Sequence, residues 1–473
     1  MELTRTAPTT TTTTTTTTDN GRRETPSLPA RPRAWSARLL EDPHALGEMA
    51  RHAGGPFHVL HAETFAENVR GFQNALLSAG VDGHVLYGKK ANRSGCFLRA
   101  CVDTGAGVDV ASAPELNHSL AAGLHGEDLV VTGPAKSDEL LRLALRHGAL
   151  IAIDALDEFA RLVTLARSVR PARVLLRVLP PTDPHSRFGF DPDELDEVLE
   201  RAAEARTVVE IEGFSFHLSG YEPAPRAELA SALVDRCLAA RTQGHAATAI
   251  SIGGGFAVSY VEAPDWDRFV AEHDDGDYHA GRKPPRHYPY HQEPAKADML
   301  AAILGHRTGG GPSLAERLSR NGIRLLLEPG RALLDGAGFS VFGVQGYKRR
   351  GGTSDDGREY GIVTVDGLSM SISEQWKGSE FLPDPELWPR APIVEPVAAA
   401  VGGASCLEYD MLTWRRVPFP RSPQYGDLLV YPNTAGYQMD KNESRFHQLP
   451  LPTRFVAEGS ADQGAIPTWR PER

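Results

Sequence analysis

The sequence predicts a (β/α)8 barrel joined to a second, mostly β domain. Three observations carry that prediction. Eight short apolar runs alternate with helix-length amphipathic stretches. The alternation stops near Gly336. Beyond it, strand-like runs with turn punctuation follow.

The elements fall in this order. Residues 1–35 hold ten consecutive threonines, Thr9–Thr18, and few large apolar side chains. Such a segment cannot bury a core and is expected to be a disordered tail. Regular patterning begins at Phe57. The strand candidates are HVLYGK (84–89), GVDV (107–110), DLVVT (128–132), LIAI (150–153), RVLLRV (173–178), IEGFSFH (211–217), TAISI (248–252) and IRLLLE (323–328). Amphipathic stretches such as SAPELNHSLAAG and SDELLRLALRHG separate them. Strand–helix alternation requires parallel pairing, and eight units close into a barrel; an open doubly wound sheet is the competing arrangement. The barrel is assigned to 57–335. Residues 36–56 and 336–460 are assigned to the β domain, and 461–473 to a tail. The stretch 261–312, rich in His, Tyr and Pro, reads as an insertion.

Composition narrows the function. Of 473 residues, 41% are hydrophobic and 23% charged, ordinary for a globular enzyme. The net charge of −11, with no basic tract, argues against nucleic-acid binding. No run approaches the ~20 apolar residues of a membrane helix. Without an apolar signal core at the N-terminus, the cytoplasm is the default location. The four cysteines, Cys96, Cys101, Cys237 and Cys406, fit neither a disulfide framework nor a zinc site. No metal is expected.

In such a barrel the chemistry sits at the C-terminal ends of the strands. Lys90 follows the first barrel strand, His217 ends a later one, Gly253, Gly254 and Gly255 follow AISI, and Glu328 ends the last. Each has an ordinary structural reading: a surface lysine, a structural histidine, a tight turn, a Pro-Gly corner. Together they offer an amine, a flat ring, backbone N–H donors for an anion and a carboxylate. That set suits pyridoxal 5′-phosphate, whose aldehyde bonds a lysine, whose phosphate takes glycine N–H groups and whose ring nitrogen is held protonated by a carboxylate. His217 is expected to stack on the ring. Alternation along the strand places Lys89 and Lys90 on opposite faces, so only one enters the pocket.

From about Phe57 to Phe455 the chain resembles the fold-type III pyridoxal-phosphate decarboxylases, the ornithine/arginine and diaminopimelate decarboxylase group, which share the alanine racemase-like barrel. YGKKAN (87–92) resembles the family's YAVKAN and selects Lys90 as the cofactor lysine. GVDVASAPEL (107–116) matches G-x-D-x-x-S-x-x-E, implying cofactor contacts from Asp109 and Glu115. SRFGF (186–190) resembles S-K-F-G, FSFHLSG the H-x-G-S stretch, and ISIGGGF the phosphate loop. EPGR brings Glu328, Gly330 and Arg331. In the β domain, GGASCLEYD (402–410) resembles G-P-x-C-(D/E)-x-x-D, and NTAGYQM (433–439) the G-A-Y segment with Tyr437.

The resemblance implies a homodimer with shared sites, in which Cys406 reaches the partner's barrel, and either Cys406 or Lys90 delivers the proton that replaces CO2. Three departures touch recognition. Leu407 stands where relatives carry an acid. The segment after Asp366 lacks an arginine, with Glu374 near its place. Ser219-Gly220 reverses the family's Gly-Ser order. Glu374, Leu407, Glu408 and Asp410 are the candidates for substrate contact. The expected activity is decarboxylation of an amino acid or a derivative. A racemase or other α-carbon enzyme is the first alternative, although its relatives set an arginine beside the ring nitrogen. A non-catalytic homologue is the second.

Overall fold

The computed structural model describes residues 25–350, 359–372, 378–390, 392–459 and 466–472. A closed barrel of eight parallel strands is its centre: β2 (Gly83–Gly88), β3 (Gly107–Val110), β4 (Leu129–Val131), β5 (Leu150–Ile153), β6 (Ala172–Arg177), β7 (Val209–Ser215), β8 (Ala249–Ser251) and β9 (Arg324–Leu327). All eight correspond to the predicted runs. β1 (Phe57–His61) precedes them and lies elsewhere.

The strands are apolar on both faces because both faces are covered. Leu86, Val130, Leu150, Ala152, Leu175, Ala249 and Leu326 form one buried cluster supplied by six of the eight strands. Alternate residues such as Val108, Ile151, Val174 and Leu325 join the larger core under the helices. The intervening helices start where the sequence supplies caps. The Ser137 side chain accepts from the Leu140 amide, and Asp191 with Glu194 closes a reciprocal capping box. Gly105 and Gly148 end their helices in left-handed turns.

The second sheet contains β10 (Gly338–Arg350), β11 (Tyr360–Val365), β12 (Glu386–Trp388), β13 (Val397–Gly402), β14 (Met411–Phe419), β15 (Leu428–Tyr431), β16 (Thr453–Glu458) and β17 (Thr468–Pro471). Its main order is β14-β13-β11-β10-β1-β16-β17, with β15 joining β10 to β12. Helices Ala34–Glu41 and Ala45–Ala53 pack on it through Trp35, Leu39, Leu46 and Met49.

Four expected boundaries move. Phe57–His61 pairs with β10 and β16, so the barrel proper begins at Gly83. Residues 25–33 are not a free tail: Leu28 is fully buried, and its amide and the Ser27 hydroxyl both donate to Asp384. Residues 1–24 lie outside the described residues. The 461–473 tail contains β17, which pairs with β16. Within 261–312, helix Lys296–Gly305 packs beside helices Ala62–Ser78 and Pro223–Thr242 and is part of the barrel's outer ring. The true excursion is about 262–295. It is tied to the second domain by Tyr290, whose hydroxyl donates to the Glu380 carbonyl at 3.0 Å in the chain before β12, and by His279, bonded to the hydroxyl of Tyr360 on β11 at 2.7 Å.

Candidate active site

At the end of β2 the chain enters a single 3-10 turn, Lys89–Ala91. That turn, rather than strand alternation, separates the two lysines. Lys89 is buried with its Nζ 3.1 Å from His118 Nδ1, and burial lowers its pKa. Lys90 projects into the barrel mouth, where its Nζ donates to Asp109 Oδ2 at 3.4 Å. Asp109 holds the ammonium's pKa above its ordinary value, against burial and with help from Tyr437 and Glu328. Asp109, on β3, is itself fixed by the Thr132 hydroxyl, which donates to Oδ1 at 2.5 Å.

Ser251, the last residue of β8, joins the glycine loop to Glu328. Its hydroxyl donates to Glu328 Oε1 at 2.6 Å and accepts from the Gly253 amide at 3.2 Å. Burial pushes the Glu328 carboxyl up to about 7, with Asp109 acting in the same direction, while Ser251, Lys90 and Arg177 oppose. The Gly254 amide donates to His217 Nδ1 at 3.3 Å. Although part of its surface is open at the mouth, desolvation by the surrounding chain, then the charge of Lys90, pushes His217 down to about 3, so the ring is neutral at physiological pH. The chain must be glycine here. A Cβ on Gly254 would lie 2.5 Å from the Glu328 carbonyl oxygen, and Gly253 has φ +65°.

Arg331 and Tyr437 complete the mouth. The Arg331 guanidinium lies 4.3 Å over the Tyr288 ring and 5.0 Å over that of Tyr437. The Tyr437 amide donates to the Ala91 carbonyl at 2.7 Å, tying the β domain to the lysine turn. Gly330 leaves room for the Tyr437 hydroxyl, which a Cβ would approach to 2.8 Å.

The other predicted residues separate from this group. Glu115 Oε2 accepts from the Ala111 amide at 2.8 Å and shapes the loop after β3. Ser219 is exposed, and the neighbouring Gly220 turns with φ +85°. Asp410 is a loop staple, its oxygens accepting from the Ser369 and Ser405 amides at 2.7 and 3.0 Å. Cys406, Leu407 and Glu408 lie exposed on that loop, with Cys406 Sγ 3.2 Å from His447 Nε2. Glu374 lies outside the described residues.

Several residues of the site carry no local sequence signal. Arg226, on helix Pro223–Thr242, is 1% exposed. Its Nη1 donates to the Ile252 and Gly254 carbonyls at 3.3 and 2.8 Å, and its Nη2 to those of Gly220 and Gly255 at 3.1 and 3.3 Å. Arg177 ends β6, stacked 4.3 Å over Phe188 of the SRFGF run. Thr132 and Tyr288 are equally unmarked, as is His447 beside Cys406 on the separate loop; the place of Ser251 in SIGGG is a usable signal.

The chain is similar to several known proteins. The pyridoxal-binding domain of pyridoxal-dependent decarboxylases matches residues 63–272. An uncharacterized protein of Sinorhizobium fredii is 37% identical over 418 residues, spanning 87% of this chain and 90% of that protein. The diaminopimelate decarboxylase of Bacillus subtilis is 26% identical over 435 residues, spanning 87% and 89%. Among solved structures, the diaminopimelate decarboxylase of Helicobacter pylori complexed with L-lysine superposes with a TM-score of 0.70 at 18% identity, covering 90% of this chain and 96% of that one. The arginine decarboxylase of Paramecium bursaria Chlorella virus gives 0.67 at 16% identity, covering 88% and 100%.

Proposed function

The chain belongs to the pyridoxal-dependent decarboxylase family, and we propose that it removes CO2 from the α-carbon of an amino acid with pyridoxal 5′-phosphate held at the barrel mouth. The observation that carries this reading is the meeting of Lys90, Asp109, Ser251 and Glu328 beside a glycine loop with no space for side chains. These residues fit the cofactor: an amine, an acceptor for its proton, a buried carboxyl for the ring nitrogen and a cradle for an anion. When bound, pyridoxal phosphate supplies an electron-accepting ring for the bond broken at the α-carbon.

The protein's part is orientation and proton placement. Asp109 favours the ammonium form of Lys90, so the amine gives up a proton before it can act as a nucleophile. Glu328, held by Ser251, is the group for the ring nitrogen, and its raised pKa leaves it able to share a proton there. His217, neutral and oriented by the Gly254 amide, offers a flat face without a competing charge. Arg331 and Tyr437 line the anion side. Cys406, supplied by a second copy of the chain, is the reading's proton donor to the α-carbon, with Lys90 the alternative.

Specificity differs from the named relatives. Burying a distal ammonium without a carboxylate partner costs several kcal/mol. Leu407 offers none, Asp410 spends both oxygens on backbone amides, and neither Glu374 nor Glu408 occupies in the sequence the position of the relatives' acid. The segment after Asp366 also lacks an arginine for a distal carboxylate. The substrate is therefore bulkier or less charged at its far end. A CO2-release screen over amino acids tests both claims. Ornithine, lysine and meso-diaminopimelate should show kcat/KM at least ~100-fold below the best substrate, for ~3 kcal/mol of lost interaction. Efficient turnover of any of the three sinks the specificity reading. α-Proton exchange without CO2 release sinks the decarboxylase.

A further inference from the structure

Arg226 is a buried cation without a counter-ion. Among the described residues no carboxylate pairs with it, and its Nε finds no hydrogen-bond partner. Its four carbonyl bonds satisfy part of the fork but do not neutralise the charge, and a buried unpaired charge is costly. Burial lowers its pKa to about 10, which still leaves it charged at neutral pH.

The carbonyls it grips determine what the loop presents on the other side. In a trans peptide the C=O and the following N–H point in opposite directions. Holding the Gly254 and Gly255 carbonyls therefore aims the Gly255 and Phe256 amides away from the guanidinium. Neither amide has a hydrogen-bond partner among the described residues. The same guanidinium holds the Gly220 carbonyl, so it also ties down the loop in which Ser219 and Gly220 reverse the family's order.

We infer that Arg226 is a positioning residue that builds the anion cradle from behind, fixing both loops and adding, to the charge of Arg331 at the mouth, a buried positive charge that strengthens the site's preference for phosphorylated pyridoxal over pyridoxal. This rests on the cofactor reading above and assigns part of its phosphate selectivity to a residue that does not touch the ligand. Preorganised amides backed by a cation in a low-dielectric site favour a dianion far more than a neutral hydroxymethyl group.

The test uses the full chain, freed of cofactor, titrated with pyridoxal phosphate and with pyridoxal. In R226M the affinity ratio of the two should fall by about tenfold or more, which corresponds to ~1.4 kcal/mol of lost selectivity. R226K, which keeps the charge but loses the fork, should fall between R226M and wild type. Inorganic phosphate should raise the Tm of the cofactor-free wild type and not that of R226M. A wild-type affinity ratio in R226M overturns the assignment. If R226M does not fold, an unchanged ratio in R226K overturns it instead. A chain that binds no pyridoxal phosphate, yet is stabilised by inorganic phosphate only when Arg226 is present, sinks the cofactor reading and leaves the cradle standing.

Discussion

Two adjacent lysines show what a single residue's setting decides. Lys89 and Lys90 are chemically identical, but one faces His118 in a buried pocket and the other Asp109 at the barrel mouth. Lys90→Ala should abolish the visible absorption band of lysine-bound pyridoxal, and Lys89→Ala should keep it; the opposite pattern would reassign the site. Glu380 gives a stability prediction at the same scale. It is fully buried, and burial pushes its carboxyl up to about 7. In the unfolded chain a glutamate titrates near ~4.3. Between these values the folded state holds a proton that the unfolded state has lost, so this group's effect makes stability fall as pH rises through the window. Glu328, also raised to about 7, and Asp366, raised to about 6, act with the same sign. The Tm of Glu380→Gln should therefore decline less than that of wild type between about pH 4.5 and pH 7. An equal or steeper decline would show that Glu380 is ionised throughout that range.

At the scale of elements, the loop after β8 is the tightest joint in the site. It must pass between His217 and the Glu328 backbone, and it does so because Gly254 has no side chain. Gly254→Ala would place a methyl 2.5 Å from a carbonyl oxygen that cannot rotate away. Overpacking of that kind costs about 1–3 kcal/mol. The variant should show a lower Tm and weaker binding of pyridoxal phosphate; an unchanged affinity would mean that the loop yields and the cradle is not rigid. The excursion 262–295 behaves differently. Its sequence reads as a long irregular loop, but Tyr288, Tyr290 and His279 anchor it to Arg331, Glu380 and Tyr360 respectively. Those contacts join residues more than forty positions apart, so no window of sequence displays them.

For the whole molecule, the question is which copy of the chain supplies each group. Cys406 lies on the exposed loop between β13 and β14, with His447 as its neighbour, while Lys90 stands in the barrel. If the active unit is a two-fold homodimer with the cysteine acting across the interface, mixing inactive Lys90→Ala and Cys406→Ala chains should restore activity. Mixed dimers would contain one intact site each, giving at most about half of wild-type activity per mixed dimer. No recovery after subunit exchange, or a fully active monomer in sedimentation, would place both groups in one chain.

The sequence by itself determined the barrel, the order of its strands and the residues at their C-terminal ends. Those features are written locally: apolar runs buried on both faces, caps and turn glycines within a few residues of the elements they end, and a lysine, a histidine, a glycine triplet and a glutamate each adjoining a strand. Tertiary structure decided the rest. Phe57–His61 stands where the regular patterning begins and falls within the barrel's expected bounds, but its pairing with β10 and β16 places it in the other sheet. Thr468–Pro471 becomes a strand because β16 offers it an edge. Arg226 reads as an ordinary helical arginine until the fold sets it behind the glycine loop. Strand pairing, the burial of a charge and the direction of a backbone amide depend on what lies across the chain, and only the folded molecule supplies that neighbour.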